Sequence, residues 1–130
     1  MIKRLALFAA AIILAASAFA QSWQGDLDLA NIQLAAGDRH FQTAMSAKTD
    51  IAAISSFQQA SSAYKVAKDL YAQVTRQIEE ESARYRWSPR KFTDYGDAQR
   101  GAFRADDGIS AAGLEMVQRM RNRNGAQSNR

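Results

Sequence analysis

In the stretch FQQASSAYKVAKDLYAQVTRQIEEESARY a large apolar or aromatic residue returns at every seventh position: Phe57, Tyr64, Tyr71, Ile78 and Tyr85. Ala60, Ala67, Val74 and Glu81 follow three places after the first four. Two positions in every seven, three and four apart, make one seam along an α-helix, with a large row beside a mostly small one. A helix of this kind is stable only if a second helix covers the seam.

The chain supplies that second helix after Pro89, its only proline. Tyr95, Ala102, Ile109 and Met116 recur at sevens, and Ala98, Ala105 and Ala112 stand three residues after the first three. Ser88-Pro89 interrupts the first pattern, because proline cannot donate to the backbone ladder and disfavours helical geometry in the residue before it. The expectation is a turn over 87–93, with Thr93 or Asp94 capping the next helix. Antiparallel packing across that turn sets Tyr85 against Ala98, Ile78 against Ala105 and Tyr71 against Ala112, so that large faces small. Gly96, Gly101, Gly108 and Gly113 are a heavy load for a helix, and Asp106-Asp107-Gly108 reads either as a dividing loop or as part of one helix. The apolar stripe crosses it in phase, which favours one continuous helix.

Upstream, Leu27, Leu34 and Phe41 recur at sevens, with Ala30, Gly37 and Ala44 three residues after each. This predicts a helix from about Asp26, with Gly37-Asp38 a point at which it breaks into two shorter pieces, since glycine costs about 1 kcal/mol in a helix interior. Thr49 or Asp50 caps the long helix, expected from Asp50 to Arg86, with Ile51 and Ile54 extending its stripe. The first helix, or a second copy of the chain, is needed to cover the flank of Ala63, Val66 and Leu70. The fold class is therefore all-α: a long antiparallel helical hairpin with an additional N-terminal helix, as a three- or four-helix bundle. Strand signals are nearly absent, because no run alternates apolar and polar for long.

The segment MIKRLALFAAAIILAASAFA has a charged start at Lys3 and Arg4, an apolar run from Leu5, and Ala18 and Ala20 flanking Phe19. That layout predicts a secretory signal peptide over 1–20, cleaved after Ala20, rather than a spanning helix of roughly 20 residues. The expected destination is the bacterial periplasm, with full secretion as the alternative. Residues 21–121 then form a single helical domain, and the polar segment NRNGAQSNR, 122–130, a disordered basic tail. Export leads to an oxidising compartment, yet the chain has no cysteine, so packing alone stabilises it. Removing Lys3 and Arg4 from the 17 basic residues leaves 15 against 13 acidic ones, a net charge of +2. The excess is concentrated after residue 85, where 9 basic residues meet 5 acidic ones.

Motifs for chemistry are missing or incomplete. GDAQRGAF, Gly96 to Phe103, has P-loop glycine spacing but places Ala102-Phe103 where lysine and a hydroxyl must reach phosphate and metal. GISAAG, Gly108 to Gly113, misses the nucleophile elbow by one residue. His40 is the only histidine, so any hydrolytic triad would depend on it, and no second ligand stands at helical spacing for zinc. Glu79, Glu80 and Glu81 are consecutive and fan out around a helix, so they do not converge as a general acid and base. Of the three, Glu81 stands in the small row of the seam, where Arg84 or Arg100 is the expected neutralising partner.

These absences predict a non-enzymatic protein of the cell envelope without a cofactor. It would act through protein–protein interaction, as an adaptor or assembly subunit of a secretion or conjugation apparatus or as a small periplasmic chaperone. The alternative is a carrier of haem, copper or lipid in the bundle interior, with His40 and Met45, Met116 or Met120 as the available ligands. The expected partners are envelope proteins or a second copy of the chain, and an anionic surface through the basic C-terminal tail, but no nucleic acid. The antiparallel register opposes Tyr64 to Arg119 rather than to an alanine. Phe57, Tyr64, Arg119, Arg121 and Arg123 are accordingly the candidate partner surface.

Overall fold

The computed structural model describes residues 23–128. Three helices make up the described chain: α1 (Trp23–Met45), α2 (Asp50–Arg84) and α3 (Pro89–Ser128). No strand occurs among the described residues, and the fold is an all-α helical bundle. The expected signal peptide lies outside the described residues. No described helix is long and apolar enough to cross a membrane.

α2 is the central element. It packs extensively on both α1 and α3, whereas α1 and α3 touch each other only lightly. Short connections make each successive pair antiparallel. Thr49 caps α2, its hydroxyl accepting from the Ala52 N–H at 3.2 Å. At the other end Tyr85 leaves the helix in an extended conformation while its N–H still donates to the Glu81 carbonyl at 2.8 Å.

The second connection is shorter than expected. Pro89 does not sit in a turn but begins α3, where its missing N–H costs nothing and its fixed φ suits the first turn. Ser88 is the cap, its hydroxyl accepting from the Lys91 N–H at 3.2 Å. Thr93 and Asp94 therefore lie inside the helix, and α2 ends at Arg84 instead of Arg86.

Tightening the turn moves the register. Tyr71 rests on Gly101 and Tyr64 on Gly108, so the expected pairing of Tyr71 with Ala112 is displaced by about three helical turns. Tyr85 drops out of the seam and is 68% exposed. Large still faces small, but the smallest partners are glycines. The ladder pairs Lys68–Asp106 at 2.7 Å and Tyr95–Glu79 at 2.6 Å follow the same register.

Those glycines also explain why α1 and α3 are unbroken. A Cβ at Gly37 would lie 2.5 Å from two Tyr64 ring carbons, and one at Gly108 would lie 2.6 Å from the other edge of the same ring. Tyr64 is thus held between two helix backbones, and its hydroxyl donates to Asp38 Oδ1 at 2.7 Å. Tyr71 rests on Gly101 of α3 and donates to Asn31 Oδ1 of α1 at 2.7 Å. Each tyrosine contacts all three helices, which offsets the helix propensity that the glycines sacrifice.

Around this pair the core holds Leu27, Leu34, Leu70, Val74 and Ile78. Leu70 is buried in this cluster, while Val66 stays exposed. A second cluster gathers Phe57, Ala44, Ala53 and Ala112, with Phe41 edge-on to Phe57 at 5.2 Å. Full burial of a side chain the size of Phe57 or Ile78 is worth about 1.5–3 kcal/mol.

Candidate partner-binding surface

The structure redistributes the expected partner surface. Phe57 is completely buried and Tyr64 nearly so, both in intramolecular contacts, so neither is available to a partner. Arg119 is half-buried and pairs with Asp50 Oδ1 at 3.3 Å. Of the five, only Arg121 and Arg123 are exposed. They stand on a part of α3 that continues past the start of α2. From the level of the Arg119–Asp50 pair to Ser128, α3 projects by about 13 Å at 1.5 Å per residue. Residues 122–128 are thus helical where a disordered tail was expected. The first five of them, 122–126, are all exposed.

Apolar side chains do reach solvent at this end, but they are different ones. Met45, Ile51, Leu114, Val117 and Met120 are each between 45% and 63% exposed. Met120 and Ile51 adjoin the two members of the Arg119–Asp50 pair in sequence. Leu114 and Val117 lie one turn and more back along α3. Leu114, Val117 and Met120 thus follow one another at three-residue spacing as exposed apolar side chains of α3, at the end of the bundle that also exposes Ile51, Arg121 and Arg123.

Farther along α3 the exposed Phe103 borders a groove of about 300 Å³ between α2 and α3, lined also by Tyr71, Tyr95, Ala102, Lys68 and Asp106. Phe92, Phe103 and Leu114 stand eleven residues apart, close to three helical turns, so they share one face. Ala98, Ala105 and Ala112 occupy the opposite, buried side. That second period was the sequence signal for the outer face, and the stronger seven-residue seam concealed it.

The titratable groups serve the structure. Asp38 accepts from Tyr64 and from Arg104 Nη2, the latter at 3.1 Å, beside a groove of about 310 Å³ between α1 and α3. Burial, then the bond to Asp38, raises the Tyr64 pKa above that of a free tyrosine. Burial does the same for Tyr71, and for Tyr95 the bond to Glu79 is the main cause. All three phenols stay protonated donors at neutral pH. Glu81 finds neither Arg84 nor Arg100 but lies 3.4 Å from Lys91, a lysine that is itself buried and also donates to the Arg86 carbonyl. Buried Asp26 accepts from Gln77 at 2.8 Å.

His40 is half-buried on α1, and among the described residues no three His, Cys, Asp or Glu side chains gather as metal ligands. Met116 and Phe41 both pack against the buried cluster around Phe57. No protein-family model, curated protein or solved structure matches this chain.

Proposed function

We propose that this is an exported, non-enzymatic helical protein that works by binding other proteins of the bacterial cell envelope. An adaptor or assembly subunit of a secretion or conjugation apparatus fits that reading, as does a small periplasmic chaperone. The observation that carries it is the row of exposed apolar side chains Leu114, Val117 and Met120 on α3, whose Ala98, Ala105 and Ala112 are buried in the core, with Ile51 of α2 also exposed at this end of the bundle. Exposed apolar groups clustered and rimmed by charge are typical of protein-binding surfaces. The signal-like segment before Gln21 supports the periplasm as the place of action. The structural engagement of most carboxylates near the tyrosines supports binding rather than catalysis.

The test is affinity capture from the native envelope with the wild-type chain and a Leu114→Asp/Val117→Asp variant. Both residues are exposed, so the variant should keep its circular dichroism spectrum and melting temperature while losing its specific partners. An unchanged set of captured proteins would remove the patch from the reading. An assembly subunit retains a few defined partners, whereas a chaperone suppresses aggregation of unrelated clients.

A further inference from the structure

The opposite end of the bundle carries a separate surface. From Ser82 to Thr93 the sequence SARYRWSPRKFT contains Arg84, Arg86, Arg90 and Lys91 and no acidic residue. The structure sorts these cations. Lys91 is turned inward, 6% exposed, and secures the turn through the Arg86 carbonyl and Glu81. The three arginines point outward, and Arg90 is 70% exposed even though Asp94 lies 3.7 Å away.

Aromatic rings share the same tip. Trp87 stacks on Phe92 at 4.7 Å and meets Tyr95 edge-on at 5.5 Å. Tyr85 and Phe92 are 68% and 63% exposed, and Trp87 is 38% exposed. Of the carboxylates that flank this segment, Glu81 pairs with Lys91, Glu79 accepts from Tyr95, Asp94 accepts from Trp23 Nε1 at 2.9 Å, and Glu80 is exposed. The tip therefore presents rings and guanidinium groups together on a segment, 82–93, that holds no acidic residue.

We infer that the α2–α3 tip docks on a bilayer rich in anionic phospholipid. Aromatic rings favour the headgroup level of a membrane, where one side is apolar and the other wet. Guanidinium groups pair with lipid phosphates by charge-assisted hydrogen bonds. The shape selects this occupant over a folded acidic protein, because residues 85–88 close the end of a helical hairpin and project from it. A projecting apolar and cationic tip suits a surface that yields around it. This assigns the anionic contact to the hairpin tip rather than to Arg121 and Arg123, and it stands independently of the protein-binding patch.

The experiment uses the whole chain with phosphatidylcholine vesicles and with mixed phosphatidylcholine–phosphatidylglycerol vesicles. The chain has two tryptophans, so subtracting the emission of a Trp87→Phe variant isolates Trp87. That readout is local to the tip, and every variant shares the same residues before Trp23. The expected result is a blue shift of Trp87 emission on the anionic vesicles only, weakening as salt is raised. Replacing Arg84, Arg86 and Arg90 by Gln should lower the partition coefficient on the order of a hundredfold at low ionic strength. A Tyr85→Ser variant, exposed and outside the helix, should lower it without altering the fold. Arg121→Gln/Arg123→Gln should leave the Trp87 shift intact. A shift of equal size on neutral vesicles, or its survival in the triple arginine variant, would overturn the inference. So would binding to polyglutamate without any response to anionic vesicles, which would make the tip a site for acidic protein segments.

Discussion

Replacing Gly101 by Ala tests the packing argument at its tightest point. On helix propensity alone the change should stabilise by up to about 1 kcal/mol, because alanine loses less backbone entropy. Here the new methyl would lie 2.5 and 2.6 Å from Cε1 and Cε2 of Tyr71 and closer still to Cζ. Carbon atoms in contact prefer about 3.5–4.0 Å, so the ring or α3 must retreat by about 1 Å. Tyr71 has nowhere to go, being fully buried and tethered to Asn31. Overpacking costs typically about 1–3 kcal/mol, and breaking the tyrosine–asparagine bond adds about 0.5–1.5 kcal/mol. Net destabilisation of about 1–3 kcal/mol is expected after the propensity gain. Gly113 is the internal control, since a Cβ there meets nothing within 4 Å, and Gly113→Ala should stabilise by up to about 1 kcal/mol. Urea unfolding followed by circular dichroism measures both, with an unchanged m value validating the comparison. If both substitutions stabilise equally, Tyr71 does not lie on Gly101 and the register is wrong.

Three further outcomes follow from the same contacts. Tyr64 and Tyr71 have pKa values raised above the free value near 10, so their contribution is fully present below about pH 10 and is lost as pH rises toward the folded values. Alkaline unfolding should be less steep in Tyr64→Phe than in wild type when stability is titrated above pH ~10. Ser88→Ala removes the cap that starts α3 and should cost about 0.5–2 kcal/mol in urea unfolding, as should Thr49→Ala at α2. Cysteines placed at Tyr71 and Ala112 should fail to form a disulfide under mild oxidation, because the two positions lie about three helical turns out of register.

The periodic part of the fold was legible because seven-residue spacing is local information. Leu27, Leu34, Tyr64, Tyr71, Ile78, Ala98, Ala105 and Ala112 all lie in the core, as their spacing demanded. Hairpin register was not legible, because it depends on where two helices end, and Pro89 is compatible both with a turn and with a first helical position. The glycines mislead in α1 for a related reason. Gly37 reads as a breaker until Tyr64, distant in sequence, is seen to occupy the space a side chain would take. Phe57 and Tyr64 fall toward the surface only in the expected register, which pairs Tyr71 with Ala112; in the observed one both are buried. Ile51, Leu114, Val117 and Met120 could not be told from core positions, since apolar side chains carry no label for the face they occupy.

Site-specific photo-crosslinking in the native envelope tests the central claim most directly. A photoreactive side chain at Val117, on the apolar patch, is compared with one at Phe57, in the buried cluster, and one at Arg76, exposed elsewhere on α2. A defined protein adduct at Val117, absent at Phe57 and Arg76, is the predicted result. Adducts of equal yield at Arg76, or none at Val117, would contradict the assignment of this patch as the partner-binding surface.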